Sequence, residues 1–154
     1  MSRPEVMIDT RDRPIIVGVD GSAASVEALV QASTIAAAFD APLEAITTWN
    51  NPVMLAPFES SPDRSPEEEA QRLLDDAVRE AFQGNTPHRF RAVTIPGPPT
   101  EVLLEQSDRA AMLVVGGRGR GAFKNMMLGS VSAACTAHAH CPVLVVHAPS
   151  APSA

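Results

Sequence analysis

A glycine-rich, basic stretch in the last third of the chain carries the residue types best suited to binding an anion. Residues 111–131 read AMLVVGGRGRGAFKNMMLGSV, an apolar run followed by glycines, three cations and a Gly-Ser pair. Glycine lets the backbone approach a ligand without a Cβ in the way, and consecutive N–H groups in such turns form a nest for oxyanions. A helix beginning at Ser130 would add unpaired N–H groups and the positive end of its dipole. These residues therefore predict a phosphate-binding site.

Spacing separates the possible phosphate motifs. Gly116 and Gly121 have the separation found in a P-loop, but Ala122 stands where the lysine of that motif belongs. Residues 117–122 (GRGRGA) fit the looser form of the dinucleotide fingerprint. That fingerprint needs an acidic residue about 20 positions further on, and no Asp or Glu follows Asp108. Both motifs are therefore disfavoured.

Composition indicates an ordinary globular protein with an uneven charge distribution. The 154 residues are 45% hydrophobic and 19% charged, which suits one domain with a sizeable core. The net charge of −6 and an aromatic content of 4% disfavour nucleic acid as a partner. Residues 109–154 nevertheless carry a formal charge of +4, against −10 for residues 1–108. This local positive charge would concentrate a small anion while the rest of the surface repels polyanions.

The two cysteines indicate a reducing compartment, and we expect the protein to be cytoplasmic. Cys135 and Cys141 are too few for a disulfide framework. Together with His138 and His140 they have the chemistry of a zinc site, but a helix followed by a strand would separate them. We therefore expect core or surface roles for all four residues and no bound metal.

Hydrophobic periodicity predicts strands that alternate with helices. Five apolar runs are predicted as strands: residues 14–20, 43–49, 88–95, 111–115 and 142–147. Helices are predicted over residues 22–39, 65–84, 100–108 and 130–139, with Ser22 and Ser65 as the N-caps of the first two. In the first helix, the buried face is predicted to comprise Val26, Leu29, Val30 and Ser33. The alternation predicts an α/β fold, a doubly wound, Rossmann-like, five-stranded parallel sheet with helices on both faces.

Residues 14–147 are predicted to form the domain, with flexible tails at residues 1–13 and 148–154. Asn50 to Ser65, rich in proline, is predicted as a long loop whose apolar members could cover a bound base. No apolar run approaches the roughly 18 residues of a membrane helix, and the N-terminus lacks the hydrophobic region of a signal peptide. We expect no membrane partner.

The predicted sheet brings an acid to the glycine-rich stretch. In an open doubly wound sheet, ligands bind beyond the carboxyl ends of the strands, where the strand order reverses. If the first and fourth strands are neighbours at that point, Asp20 and Gly116 enter the same crevice. An acid beside a phosphate nest suits a nucleotide, with the carboxylate accepting from a ribose hydroxyl or a base amine.

The remaining glycine spacing resembles a known family signature. Residues 116–130 (GGRGRGAFKNMMLGS) contain Gly-x2-Gly-x9-Gly-Ser. This pattern resembles the signature of the ATP-binding branch of the universal stress proteins, Gly-x2-Gly-x9-Gly-Ser/Thr. Residues 19–22 (VDGS) are similar to the end of that family's first strand, and residues 141–146 (CPVLVV) to its last strand. The resemblance covers residues 14–147.

The resemblance implies a set of ligand-binding residues. Asp20, in the turn with Gly21 and Ser22, would contact the nucleoside, Thr47 the adenine, and Gly116 the ribose. The implied phosphate site comprises Gly119, Gly129, Ser130 and Val131, to which we add the cation Arg120.

The resemblance also implies a function. It predicts an adenine-nucleotide-binding protein of the stress response, with ATP as ligand and Mg²⁺ possible at the phosphates, acting by nucleotide-dependent interaction. Cyclic AMP would also suit the crevice. Two alternatives stay open: a slow Mg²⁺-dependent ATPase or phosphotransferase using Lys124 and Ser130, and a flavin- or nicotinamide-binding module. Because fast phosphoryl transfer needs a second acid, we do not expect an efficient enzyme.

The last predicted strand suggests a partner. Pro142 to Val146 is apolar and near the end of the chain, which predicts a sheet edge with unpaired backbone groups. Universal stress proteins commonly dimerise through the similar strand, so the resemblance implies a symmetric homodimer.

Overall fold

The computed structural model describes residues 12–50, 64–119 and 128–149, in which strands and helices alternate. The elements are β1 (Ile15–Gly18), α1 (Ala23–Phe39), β2 (Leu43–Trp49), α2 (Pro66–Phe82), β3 (Phe90–Pro96), α3 (Pro99–Ser107), β4 (Met112–Gly116), α4 (Ser130–His138) and β5 (Val143–Val146). The predicted tails and the predicted loop between β2 and α2 fall almost entirely outside the described ranges. None of the helices in those ranges has both the length and the apolar character needed to cross a bilayer.

The five strands form one parallel sheet in the order β3-β2-β1-β4-β5. β1 lies in the middle, where Val17 pairs with Ala45 of β2 on one side and with Val114 of β4 on the other. The chain therefore runs outward from β1 to β2 and β3, then returns to β1 and runs the other way. This arrangement confirms the predicted doubly wound sheet and the predicted neighbours at its switch point.

Helices cover both faces of the sheet, as predicted. On one face, Val17 belongs to a core that contains Leu29 of α1 and Leu74 of α2. On the other face, Ile16 packs with residues of α3 and α4. Successive residues of a strand point to opposite faces, and Ile16 and Val17 are both fully buried. A strand whose two faces are both covered by helices must be apolar throughout, which explains the continuous hydrophobic run of β1.

The face that α1 buries differs from the predicted one. Leu29 is buried as predicted, but Val26, Val30 and Ser33 are only partly buried. The other buried positions are small: Ala24, Ser25, Ala28, Ala32 and Ala36. Small side chains let this helix lie close to the central strands. The face with the smallest side chains therefore turns inward, and the face with the larger Val26 and Val30 is only partly buried.

Strand and helix ends agree with the predictions to within about two residues. β3 begins at Phe90 and not at the predicted His88, because Arg89 has a left-handed backbone with φ 60°. The predicted N-caps are confirmed, since Ser22 and Ser65 accept hydrogen bonds from the backbone N–H groups of Ser25 and Glu68, each at 3.2 Å.

A half-buried ion pair links β2 to the segment between α3 and β4 at the amino-terminal end of the sheet. The side chain of Glu44 on β2 is 8% exposed and receives both guanidinium nitrogens of Arg109, at 3.0 and 2.5 Å. Arg109 lies between α3 and β4, and Arg91 of β3 adds a weaker contact at 3.9 Å. Burying a carboxylate is costly unless it is paired, so Arg109 offsets a large desolvation penalty.

Replacing Arg109 should therefore destabilise the fold more than replacing an exposed arginine. We expect Arg109→Met to lower the free energy of unfolding by about 1–3 kcal/mol, because it leaves Glu44 buried beside only the distant Arg91. The control is Arg79→Met in α2, which removes an exposed pair with Asp76. It should lower the free energy of unfolding by less than about 0.5 kcal/mol. Urea unfolding of both variants measures the difference. Equal losses would contradict this account of Glu44.

Candidate functional site

A cavity of about 590 Å³ opens at the carboxyl ends of β1, β2 and β4. Eight of the ten predicted ligand residues line it: Asp20, Ser22, Thr47, Gly116, Gly119, Gly129, Ser130 and Val131. Gly21 does not line it and instead borders a neighbouring groove beside α2. Arg120 lies outside the described residues. The structure thus brings together residues from distant parts of the chain, and their roles toward a ligand stay a prediction.

The chain beyond β1 is held by hydrogen bonds from β2. The N–H of Val19 donates to the carbonyl of Ile46 at 2.8 Å, and the hydroxyl of Thr47 donates to the carbonyl of Val19 at 2.8 Å. Thr47 is 4% exposed, so its side chain is largely committed to this bond. The residue predicted to contact adenine therefore also fixes the peptide that precedes Asp20.

The turn after β1 presents the carboxylate of Asp20 at the cavity. Gly21 has φ 82°, a conformation that favours glycine, and it redirects the chain into α1. One carboxylate oxygen of Asp20 accepts from the N–H of Ser22 at 2.9 Å. The other oxygen lies beside Gly119, where any Cβ would overlap it. Asp20 therefore stabilises its own turn and also faces the glycine-rich segment.

Gly116 is required by packing. A Cβ at this position would lie 2.9 Å from the Cβ of Ala24 and 3.0 Å from the backbone nitrogen of Ser25. Both atoms belong to the start of α1 and cannot rotate away. The absence of a side chain at Gly116 is therefore explained by the close approach of α1 to β4, without reference to a ligand.

Gly129 has a different environment. It precedes α4 with φ −69° and ψ 166°, a conformation open to any residue, and no side-chain cap bonds to the first turn of the helix. A Cβ here would meet only ordinary contacts, the nearest being the backbone nitrogen of Gly119 at 3.5 Å. Neither strain nor packing demands glycine at this position. A methyl group would instead partly cover the N–H of Gly119, which suits a surface kept clear for a bound group.

Ser132 is a cavity residue that the sequence analysis missed. Its hydroxyl is 2.9 Å from the carbonyl oxygen of Gly117 and 3.1 Å from that of Gly129, and the residue is 2% exposed. The only sequence signal is a hydroxyl three residues after Gly129 in a helical segment, a spacing that lets serine bond back to the preceding turn.

Apolar side chains also line the cavity. They come from three elements, β2, α2 and α3, and comprise Ile46, Leu73, Pro99 and Leu103. Among the described residues that line the cavity, Asp20 alone has an ionisable side chain. The cavity is therefore lined partly by apolar side chains and partly by glycine backbone and the start of α4.

The cysteines and histidines near α4 lie apart from this cavity. Cys135 is fully buried, and burial, with a smaller contribution from Cys141, raises the pKa of its thiol to about 11. His140 pairs with Asp108 through its Nδ1. Within the described ranges, no three His, Cys, Asp or Glu side chains lie close enough together to bind one metal ion.

A parallel, doubly wound sheet with a glycine-lined cavity at its switch point defines a Rossmann-like domain. The sequence profile described as Universal stress protein family matches residues 13–147. The chain therefore belongs to the universal stress protein family, which confirms the resemblance in the glycine signature at the level of the family.

Relatives from bacteria and archaea agree with this assignment. Universal stress protein Rv2005c of Mycobacterium tuberculosis is 31% identical over 153 residues, which cover 96% of this chain and 50% of that protein. This chain thus spans about half the length of the mycobacterial relative. Universal stress protein MJ0531 of Methanocaldococcus jannaschii is 32% identical over 143 residues, covering 89% of this chain and 83% of that protein.

Solved structures share the fold. A universal stress protein in complex with cAMP superposes with a TM-score of 0.67 at 26% identity, covering 89% of this chain and 98% of that one. UspA from Lactobacillus plantarum has a TM-score of 0.68 at 23% identity, covering 87% of this chain and 97% of that one. An Arabidopsis thaliana family protein with AMP bound has a TM-score of 0.63 at 21% identity, covering 90% and 93% of the two chains.

The different packing around Gly116 and Gly129 predicts different effects of an alanine substitution on stability. We expect Gly116→Ala to lower the free energy of unfolding by about 1–3 kcal/mol, because its methyl group overlaps the start of α1. Gly129→Ala should change it by less than about 1 kcal/mol, since a weaker cap is offset by reduced freedom of the unfolded chain. Thermal and urea unfolding compare the two variants directly. A larger loss for Gly129→Ala would show that these packing environments are wrongly assigned.

Proposed function

We propose that the cavity binds an adenine nucleotide, with ATP as the first candidate, and that the protein acts in a stress response through nucleotide-dependent interaction. The observation that carries this proposal is the convergence of Asp20 with Gly119, Gly129 and Ser130 on one cavity. A carboxylate suits the hydroxyls of a sugar, while glycine backbone and a helix N-terminus suit phosphate. A nucleotide supplies both groups in one molecule.

The remaining features of the cavity support the same ligand class. Its volume of about 590 Å³ lies within the range of roughly 300–1,000 Å³ that small-molecule sites occupy. The apolar part of the lining, which includes Ile46 and Leu103, suits the faces of a base. In this arrangement Asp20 binds the nucleoside, Thr47 lies beside the base, and the first turn of α4 receives the phosphates.

Comparison with relatives favours adenine as the base. The family member in complex with cAMP is 26% identical to this chain over most of its length. The fold recurs in two proteins bound to AMP and dAMP, at 21% and 19% identity. We take ATP as the leading ligand because the glycine spacing resembles that of the ATP-binding branch, with Mg²⁺ bound at the phosphates.

The proposed role is binding and not rapid turnover. Phosphoryl transfer requires a positioned base and an acid that holds the metal ion. Of the cavity residues within the described ranges, Asp20 alone has an ionisable side chain, and one of its oxygens already accepts from Ser22.

We also propose that the protein is cytoplasmic. Its two cysteines are unpaired, which is compatible with a reducing compartment.

We further propose that two copies of the chain pair through β5. This strand lies at one edge of the sheet, bonded on one side to β4. Its residues are apolar, and Val143, Leu144 and Val145 are only partly buried within one chain. An exposed apolar edge strand is a template for pairing with another strand, and a two-fold axis would satisfy both edges at once.

Calorimetry with a matched set of ligands tests the nucleotide proposal. ATP, ADP, cyclic AMP and adenosine should bind, whereas GTP, NAD and FMN should bind more weakly. Asp20→Asn keeps the oxygen that accepts from Ser22 but removes the charge, so it should weaken ATP and adenosine alike, by about tenfold or more. Identification of the nucleotide released from protein purified without added ligand provides the independent check. The proposal fails if folded protein gives no heat with any adenine ligand.

Sedimentation tests the dimer. We expect a species of about twice the 16.2 kDa chain mass at micromolar concentration. Because the proposed interface is apolar, raising the salt concentration should not dissociate it. A 16.2 kDa monomer across the accessible concentration range would rule the dimer out.

A further inference from the structure

The two ends of the glycine signature are joined directly at Gly117. Its N–H donates to the carbonyl of Val146 at 2.7 Å, which continues the pairing of β4 with β5. Its carbonyl oxygen accepts from the N–H of Gly129 at 2.7 Å and from the hydroxyl of Ser132 at 2.9 Å. The chain thus leaves β4 and enters α4 at neighbouring points, and Gly117 is held there from both β5 and the start of α4.

The hydroxyl of Ser132 connects three parts of the site. It lies on α4, contacts the carbonyl oxygen of Gly117 beyond β4, and lies 3.1 Å from the carbonyl oxygen of Gly129. A hydroxyl has one proton, so the two carbonyls share a single donor. The residue is 2% exposed and lines the cavity, so water cannot readily replace this donor.

We propose that Ser132 is a positioning residue for the phosphate end of the cavity. Its hydroxyl fixes Gly117 against the start of α4, so that the N–H of Gly119 and the first N–H groups of α4 face one point. This inference rests on the proposed function, because it assigns a role within the same site. Ser132 acts through the backbone that it holds and need not touch the ligand.

Removing the hydroxyl should loosen this arrangement without unfolding the chain. Gly117 would keep its bonds to Val146 and Gly129, so β4 and α4 stay connected. A phosphate bound by several N–H groups depends on their mutual alignment, since each contributes a charge-assisted hydrogen bond. The nucleoside end has supports of its own, because Asp20 accepts from the N–H of Ser22 and donates its own N–H to Ser25, and the carbonyl of Val19 is held by Thr47.

The test compares ATP with adenosine in three variants. Ser132→Ala should weaken ATP binding by about fivefold or more and leave adenosine binding unchanged. Ser132→Thr keeps the hydroxyl and should retain ATP affinity within about twofold. Thr136→Ala is the matched control, because Thr136 also bonds back three residues along α4, to Ala133 at 2.8 Å, but is exposed and away from the cavity. Thr136→Ala should leave the affinities for ATP and for adenosine unchanged.

The possible results separate the role of Ser132 from the function of the site. An equal loss of ATP and adenosine in Ser132→Ala would reduce Ser132 to a purely structural residue and overturn the inference. Unchanged ATP binding in that variant would overturn it as well. If the wild-type protein binds neither ATP nor adenosine, the proposed function itself is overturned. If the wild-type protein binds ATP no more tightly than adenosine, the phosphates add no affinity. That result would contradict the phosphate site that Ser132 is proposed to position.

Discussion

The pairing of β1 with both β2 and β4 is the constraint on which the rest of the structure depends. It forces the chain to leave the central strand in one direction and later to return and continue in the other. The segments that follow β1 and β4 therefore diverge above neighbouring strands, and a crevice opens between them. Asp20 and Gly119 are 99 residues apart in sequence but touch across this crevice for that reason alone.

Close packing of α1 on the sheet sets the geometry of the crevice. The helix lies near enough to β4 that Gly116 has no room for a side chain, and its buried face is made mostly of alanine. This position also fixes Ser22, which caps α1 and donates its N–H to Asp20. The glycines of one signature thus have different physical causes: Gly116 admits a helix, whereas Gly129 leaves space beside the backbone of Gly119.

Small hydroxyl side chains support most of the described cavity rim. Thr47 holds the peptide before Asp20, Ser25 accepts from the N–H of Asp20 at 3.4 Å, and Ser132 holds Gly117. Each bond ties a side chain to a backbone group, so these hydroxyls fix the main chain at the rim of the cavity. Such a site suits the proposed nucleotide, whose phosphates would meet main-chain N–H groups, and its described residues carry little of the acid–base chemistry that catalysis needs.

The sequence by itself determined the order of the elements, the doubly wound sheet, the helix caps at Ser22 and Ser65, and the membership of the family. These features follow from periodicity and from local hydrogen bonds, which neighbouring residues fix. Tertiary structure alone decided which face α1 buries, the ion pair of Glu44 with Arg109, and the bond from Ser132 to Gly117. Each of these depends on the distance between elements that are remote in sequence, and no local pattern encodes that distance. A glycine spacing can therefore indicate where the proposed ligand site lies, but only the packed structure distinguishes Gly116, which accommodates a helix, from Gly129, which leaves space beside the backbone of Gly119.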